Sequence, residues 1–187
     1  MTAAAAIEVG MQDHALPWTE EEYFALGETI ARVELFDGSL SVSPSPSYDH
    51  QDLLHELVSA LKGPARRAGL WVYHDVDVRL QPGRVVEPDL IVRPRVARGT
   101  TVTEGRDVRL VCEITSTNAA TDRVLKMHYY AVAGIPWYLL VEPAEPTLLL
   151  HRLDGDRYVL DQEAKPGHRL RLSEPVEADI DPADLLD

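Results

Sequence analysis

Leu110-Val111-Cys112-Glu113-Ile114 sets one carboxylate inside an apolar run, and Pro88-Asp89-Leu90-Ile91-Val92 sets another at the head of a second. Short apolar runs with turn or charged flanks read as buried strands, here Val108 to Ile114 and Val85 to Val92. A carboxylate in such a strand costs several kcal/mol unless it is paired or coordinates a metal. If the two strands are neighbours, Asp89 and Glu113 converge on one divalent ion, with the Ile114 carbonyl as a third hard oxygen suited to magnesium or manganese. The other reading pairs each acid with an arginine such as Arg93 or Arg109.

Outward from these strands the pattern alternates between helix and sheet. Before them, Leu53, Leu54, Leu57, Val58 and Leu61 share one face of a helix from Asp49 to Gly63-Pro64, and residues 71–80 alternate as one strand that Pro82-Gly83 turns. After them, Asn118 caps a helix over 119–133 that Gly134 stops, and Trp137 to Val141 is a further strand. Residues 94–105 read as a loop. The centre of the chain is therefore helix, three strands, helix, strand. Ahead of it, Thr19 caps a short helix whose first turn holds Glu20, Glu21 and Glu22, and Asp37-Gly38 turns a hairpin from Val33 to Val42. Beyond it, Leu148–Leu153 and Tyr158–Gln162 form a late hairpin through Asp154-Gly155-Asp156, and an acidic tail follows. Residues 1–17 read as a flexible segment ahead of one domain, 18–187.

Composition narrows the class. The chain has 187 residues, 45% hydrophobic and 26% charged, which suits a single globular domain and excludes disordered and fibrous classes. The net charge of −13 is unevenly placed: residues 1–30 hold six acids and residues 173–187 six more, with no Lys or Arg in either. The body between them is close to neutral, and 15 arginines outnumber three lysines. Arg93, Arg95, Arg98, Arg106 and Arg109 fall in one stretch, read either as solvated loop charges or as phosphate contacts. One cysteine excludes a disulfide scaffold, and no apolar stretch is long enough to span a bilayer. With no signal-peptide pattern, a cytoplasmic protein without membrane contact is expected.

Several motifs are missing. There is no Gly-rich phosphate loop and no G-x-S-x-G elbow, and His55-Glu56 lacks a second imidazole because position 59 is Ser59. Cys112 reads as core packing. From spacing alone Lys126 is an exposed partner of Asp122 one turn before it, Glu34 faces solvent opposite Val33 and Leu35, and His50 is a ligand, a base, a cap or a surface residue.

Taken in order, these segments resemble the Uma family of restriction endonucleases, a branch of the PD-(D/E)XK nuclease superfamily. The resemblance runs from Trp18-Thr19-Glu20-Glu21-Glu22-Tyr23 through Glu34-Leu35-Phe36-Asp37-Gly38, Ser43-Pro44 with His50, and Pro88-Asp89-Leu90. It continues through Cys112-Glu113-Ile114-Thr115-Ser116, Asp122-Arg123 with Lys126 and Tyr130, Gly134-Ile135-Pro136-Trp137-Tyr138 and Val141-Glu142-Pro143. It implies an α/β restriction-endonuclease-like core with an added N-terminal helix and hairpin and a C-terminal hairpin. It also implies Asp89, Glu113 and Ile114 as ligands of Mg2+ or Mn2+, Lys126 as a catalytic lysine moved from the strand to the helix, and Glu34 and His50 as further active-site residues. The position two beyond Glu113 is Thr115, so the lysine must reach the site from the helix. The implied activity is hydrolysis of DNA phosphodiesters by a homodimer. The alternative is an inactive nucleic-acid-binding or accessory interaction protein of the same fold.

Overall fold

The structure, a computed structural model, describes residues 16–27, 29, 31–115 and 120–185. Helix α1 (Glu20–Ala25) starts where Thr19 and Glu22 form a capping box: the Glu22 amide donates to Thr19 Oγ1 at 3.2 Å and the Thr19 amide to Glu22 Oε2 at 2.9 Å. Strands β1 (Arg32–Phe36) and β2 (Ser39–Ser43) form the expected hairpin. Its turn places Asp37 at φ 50° and Gly38 at φ 86°, and a Cβ on Gly38 would also collide with Pro17.

Helix α2 (Tyr48–Arg67) begins where Ser47 Oγ accepts from the His50 amide at 3.3 Å. It does not stop at Gly63-Pro64. Proline forfeits one amide, but the Pro64 carbonyl still accepts from Ala68 at 3.1 Å, and Leu57, Leu61 and Ala65 are all fully buried. Burial of the last turn outweighs the lost bond, and Gly69 at φ 72° follows the helix.

Two strands expected to be continuous are each broken in two. Residues 71–80 become β3 (Leu70–Tyr73) and β4 (Asp77–Gln81), separated by Asp75 at φ 51°. Residues 85–92 become β5 (Arg84–Val86) and β6 (Leu90–Pro94), separated at Glu87-Pro88, where proline has no ladder amide. Each break transfers the chain between sheets. The stretch read as a loop over 94–105 contains β7 (Val102–Glu104), parallel to β4.

Strand β8 (Leu110–Ile114) leads through α3 (Ala120–Val132) to β9 (Trp137–Glu142), which runs parallel to β8. Gly134 at φ 75° follows α3, while the expected Asn118 cap lies outside the described residues. Strands β10 (Thr147–Asp154) and β11 (Arg157–Ala164) complete a six-stranded sheet, β11-β10-β9-β8-β6-β3, beside a five-stranded sheet, β2-β1-β5-β4-β7.

Alternation gives the six-stranded sheet two apolar faces. Leu90, Val92, Leu110 and Cys112 pack with Leu53, Leu57 and Leu61 of α2, while Ile91 and Val111 pack with Tyr130 of α3 and Tyr138. The acidic tail is not a free surface. Strands β12 (Leu170–Leu172) and β13 (Ala178–Ile180) pair, a 3-10 turn follows at Pro182–Leu185, and Val176, Ile180 and Leu185 join the core on the α2 side. The carboxylates of Asp179, Asp181 and Asp184 surround Arg169 at 2.6, 3.9 and 3.8 Å. No helix among the described residues is long and apolar enough to cross a membrane.

Candidate active site

Antiparallel pairing of Leu90 with Cys112 puts Asp89, one residue before β6, alongside Glu113. By alternation both carboxylates leave the α2 face and point to the face that carries Ile91 and Val111. They are deeply buried, with relative exposures of 1% and 9%. The Ile114 amide donates to Asp89 Oδ2 at 2.7 Å, Arg32 Nη2 donates to Asp89 Oδ1 at 2.7 Å, and His50 Nε2 lies 3.2 Å from the same oxygen. Lys126 Nζ and the Tyr130 hydroxyl donate to Glu113 Oε1, the lysine at 3.3 Å. Lys126 also stands 2.8 Å from Glu34 Oε1, which accepts from the Glu87 amide at 3.0 Å.

Five elements meet at this point. Strand β1 brings Arg32 and Glu34, the first turn of α2 brings His50, and α3 brings Lys126 and Tyr130 one helical turn apart. Glu34 is not at solvent: Val33 and Leu35 pack with Trp18 and Tyr23, and the opposite face of β1 meets the acids rather than water. Lys126 is not a surface pair either, since its side chain is 12% exposed and lies between two carboxylates. The Asp122 side chain lies outside the described residues. Arg93 is held by Thr103 at 2.9 Å and Asp107 at 3.5 Å, and Arg109 by the Arg106 carbonyl, so neither neutralises Asp89 or Glu113. Arg32 and Tyr130 were missed as site residues. Their signals were spacings: Arg32 shares a strand face with Glu34 two residues on, and Tyr130 follows Lys126 by four.

Environment drives the two acids apart. Burial opposes the Asp89 charge, but the His50 contact, the Arg32 charge and the Ile114 amide outweigh it and hold its pKa down at about 2. Burial dominates at Glu113, and with Asp89 and Glu34 adding like charge its pKa rises to about 7 against the pull of Lys126 and Tyr130. Burial also opposes the Lys126 charge, yet Glu113 and Glu34 offset this and hold its pKa above the ordinary lysine value. Separated acid pKa values beside a retained cation are the pattern expected where proton and charge movements are managed.

The donor set suits a hard divalent cation. A strand residue's N–H and C=O face the same side, so Ile114, whose amide meets Asp89, turns its carbonyl toward that side of β8 as well. Among the described residues no three His, Cys, Asp or Glu side chains form a metal-holding group. Asp89, Glu113 and the Ile114 carbonyl are the hard oxygens that could hold an ion such as magnesium, which would supply Lewis-acid charge there. A cleft of about 760 Å³ borders the site at Glu87, between α1 and β4.

No curated protein matches the chain. The fold is similar to a crystal structure from Anabaena variabilis described as a "putative nuclease belonging to DUF820": TM-score 0.76 and 19% identity, over 91% of this chain and 98% of that one. That likeness establishes the shared fold. Residues 20–184, which include every residue of the site, match the Uma2 family, described as "Putative restriction endonuclease", and the chain belongs to that family.

Proposed function

We propose that the protein is an endonuclease that hydrolyses DNA phosphodiester bonds with Mg2+ or Mn2+. The observation that carries this reading is the convergence of Asp89, Glu113 and the Ile114 backbone where β6 meets β8, with Lys126 reaching Glu113 and Glu34 from α3. Asp89, Glu113 and the Ile114 carbonyl would hold the cation, which supplies Lewis-acid charge against the phosphoryl oxygens. Lys126 stays charged between Glu113 and Glu34, so it orients the attacking water by donating hydrogen bonds and offsets charge gained at phosphorus. His50 and Arg32 fix the Asp89 carboxylate. Glu34 in turn holds the lysine, 2.8 Å away. Cleavage of both strands of a duplex fits a homodimer, and a buried free Cys112 suits the reducing cytoplasm.

The test is plasmid nicking with Mg2+, Mn2+ or chelator, run beside Asp89→Ala and Glu113→Gln. Nicking that needs a divalent cation and disappears in both variants supports the reading. DNA binding without metal-dependent nicking would overturn it in favour of an inactive binding protein.

A further inference from the structure

We infer that the end of the six-stranded sheet remote from Asp89 is a sequence-independent contact for the phosphate backbone of a nucleic-acid duplex, built from Arg66, Arg95, Arg106 and Arg109 around Trp71. The register gathers them. Trp71 pairs with Arg93 across β3 and β6, the Arg109 amide donates to the Val92 carbonyl at 2.8 Å, and Arg109 reaches back to the Arg106 carbonyl at 3.1 Å. The guanidiniums of Arg66 and Arg95 rest 4.3 and 5.6 Å from the Trp71 ring centre.

Charge bookkeeping separates this patch from the rest of the surface. Residues 93–109 hold five arginines against Glu104 and Asp107, and both acids are already engaged, by Arg79 at 2.9 Å and Arg93 at 3.5 Å. Arg66, Arg95, Arg106 and Arg109 are exposed, and among the described residues none faces a carboxylate. Arg79, Arg84, Arg152, Arg169 and Arg171 each do, while Arg67, Arg98 and Arg157 share the unopposed state without an aromatic ring beneath them. Gathering several unopposed guanidiniums around one tryptophan raises the local positive potential in a chain of net charge −13.

The aromatic support indicates what the patch takes. A guanidinium lying on an indole face keeps its in-plane N–H edge outward, the geometry that forks onto phosphate oxygens. With guanidiniums resting on it, Trp71 is poorly placed to stack a base, so the contact carries no sequence preference. Arg95 lies six residues along the strand from Asp89, roughly 20 Å at strand rise. That equals about six base-pair steps of a duplex. The site reading enters only through this spacing, because binding at the patch needs neither metal nor cleavage.

The experiment is fluorescence anisotropy in chelator, with a duplex of about 24 base pairs, over a salt series. Wild type is compared with Arg95→Ala/Arg109→Ala and Arg66→Ala, each checked for an unchanged melting temperature. The expected result is binding of the duplex by wild type that weakens steeply with salt. The double variant should lose about tenfold or more of that affinity, with a salt slope shallower by about two. Unchanged affinity and slope in the variants would overturn the inference, as would polyglutamate competing as well as duplex, which would assign the patch to an acidic protein. Asp89→Ala is the control for the other reading. If it still nicks plasmid while the arginine variants lose binding, the active-site proposal fails and the patch stands; if it is inactive while the arginine variants bind normally, the patch alone fails.

Discussion

Arg32 Nη2 lies 2.7 Å from Asp89 Oδ1, so the carboxylate best placed to hold a divalent ion already has a resident cation. Under the proposed function a metal would have to displace or share that guanidinium, and Arg32→Gln separates its two effects. Without metal the variant should be less stable by about 3 kcal/mol, because a buried carboxylate loses its charge partner. Its affinity for Mn2+ should rise about tenfold, since a competing positive charge is gone. Chemical denaturation in chelator and calorimetric metal titration read the two independently, and unchanged metal affinity would return Arg32 to a purely structural role.

Two carboxylates brought side by side repel, and a shared cation should relieve this. Mn2+ at a hundredfold excess over its dissociation constant is expected to stabilise the wild type by about 2.7 kcal/mol. Thermal melts should therefore rise with manganese, and Asp89→Ala should show no such rise. An equal rise in both proteins would place the ion elsewhere.

Lys126→Ala tests the lysine that reaches the site from α3. The cleavage rate should fall by roughly 10²–10⁴-fold, the range for a positioned proton-transfer or charge-offsetting group. Metal affinity should hold or increase, whereas Asp89→Ala should lose both metal and cleavage. Wild-type cleavage by Lys126→Ala would leave the residue a counter-ion of Glu34 and Glu113 and nothing more.

The displaced acid pKa values predict opposite pH responses of the metal-free fold. Glu113 titrates at about 7 when folded against an ordinary 4.5, so its contribution to stability is complete below 4.5 and is lost as pH rises through about 7. Asp89, at about 2 against 3.8, stabilises above 3.8 and loses that contribution as pH falls through about 2. Glu113→Gln removes the first effect. In chelator, its stability relative to wild type should improve by about 3 kcal/mol between pH 5 and pH 8. Urea unfolding at the two pH values measures this, and a pH-independent difference would count against the raised Glu113 pKa.

Much of the scaffold was legible because each decisive signal was local. The Thr19 cap, the Asp37-Gly38 turn, the apolar stripe of α2 and the glycine after α3 all act within a few residues. The anomaly at Asp89 and Glu113 was also local, since a charge within an apolar strand demands a partner. What could not be read was which partner. Glu34 and Lys126 look solvent-facing within their own elements, and only the meeting of β1 with α3 buries them. The strand patterns likewise run on past Asp75 and Pro88, alternating over 71–80 and apolar over 85–92, because a bend between sheets leaves the local pattern in place while changing which sheet receives it. Helix α2 outran Gly63-Pro64 for a related reason: the core that accepts Ala65 is distant in sequence.

Residues 176–185 complete the apolar face that α2 presents, and in synthesis they leave the ribosome long after α2 does. Until then the part of that apolar cluster filled by Val176, Ile180 and Leu185 stays open, whatever has formed around Asp89. A chain interrupted after β11 would thus expose a leucine-rich helix face and be aggregated or degraded. Fragments holding all of Glu34, Asp89, Glu113 and Lys126 but lacking β13 should not persist in the cell, so the candidate site is expected only in chains that extend through β13.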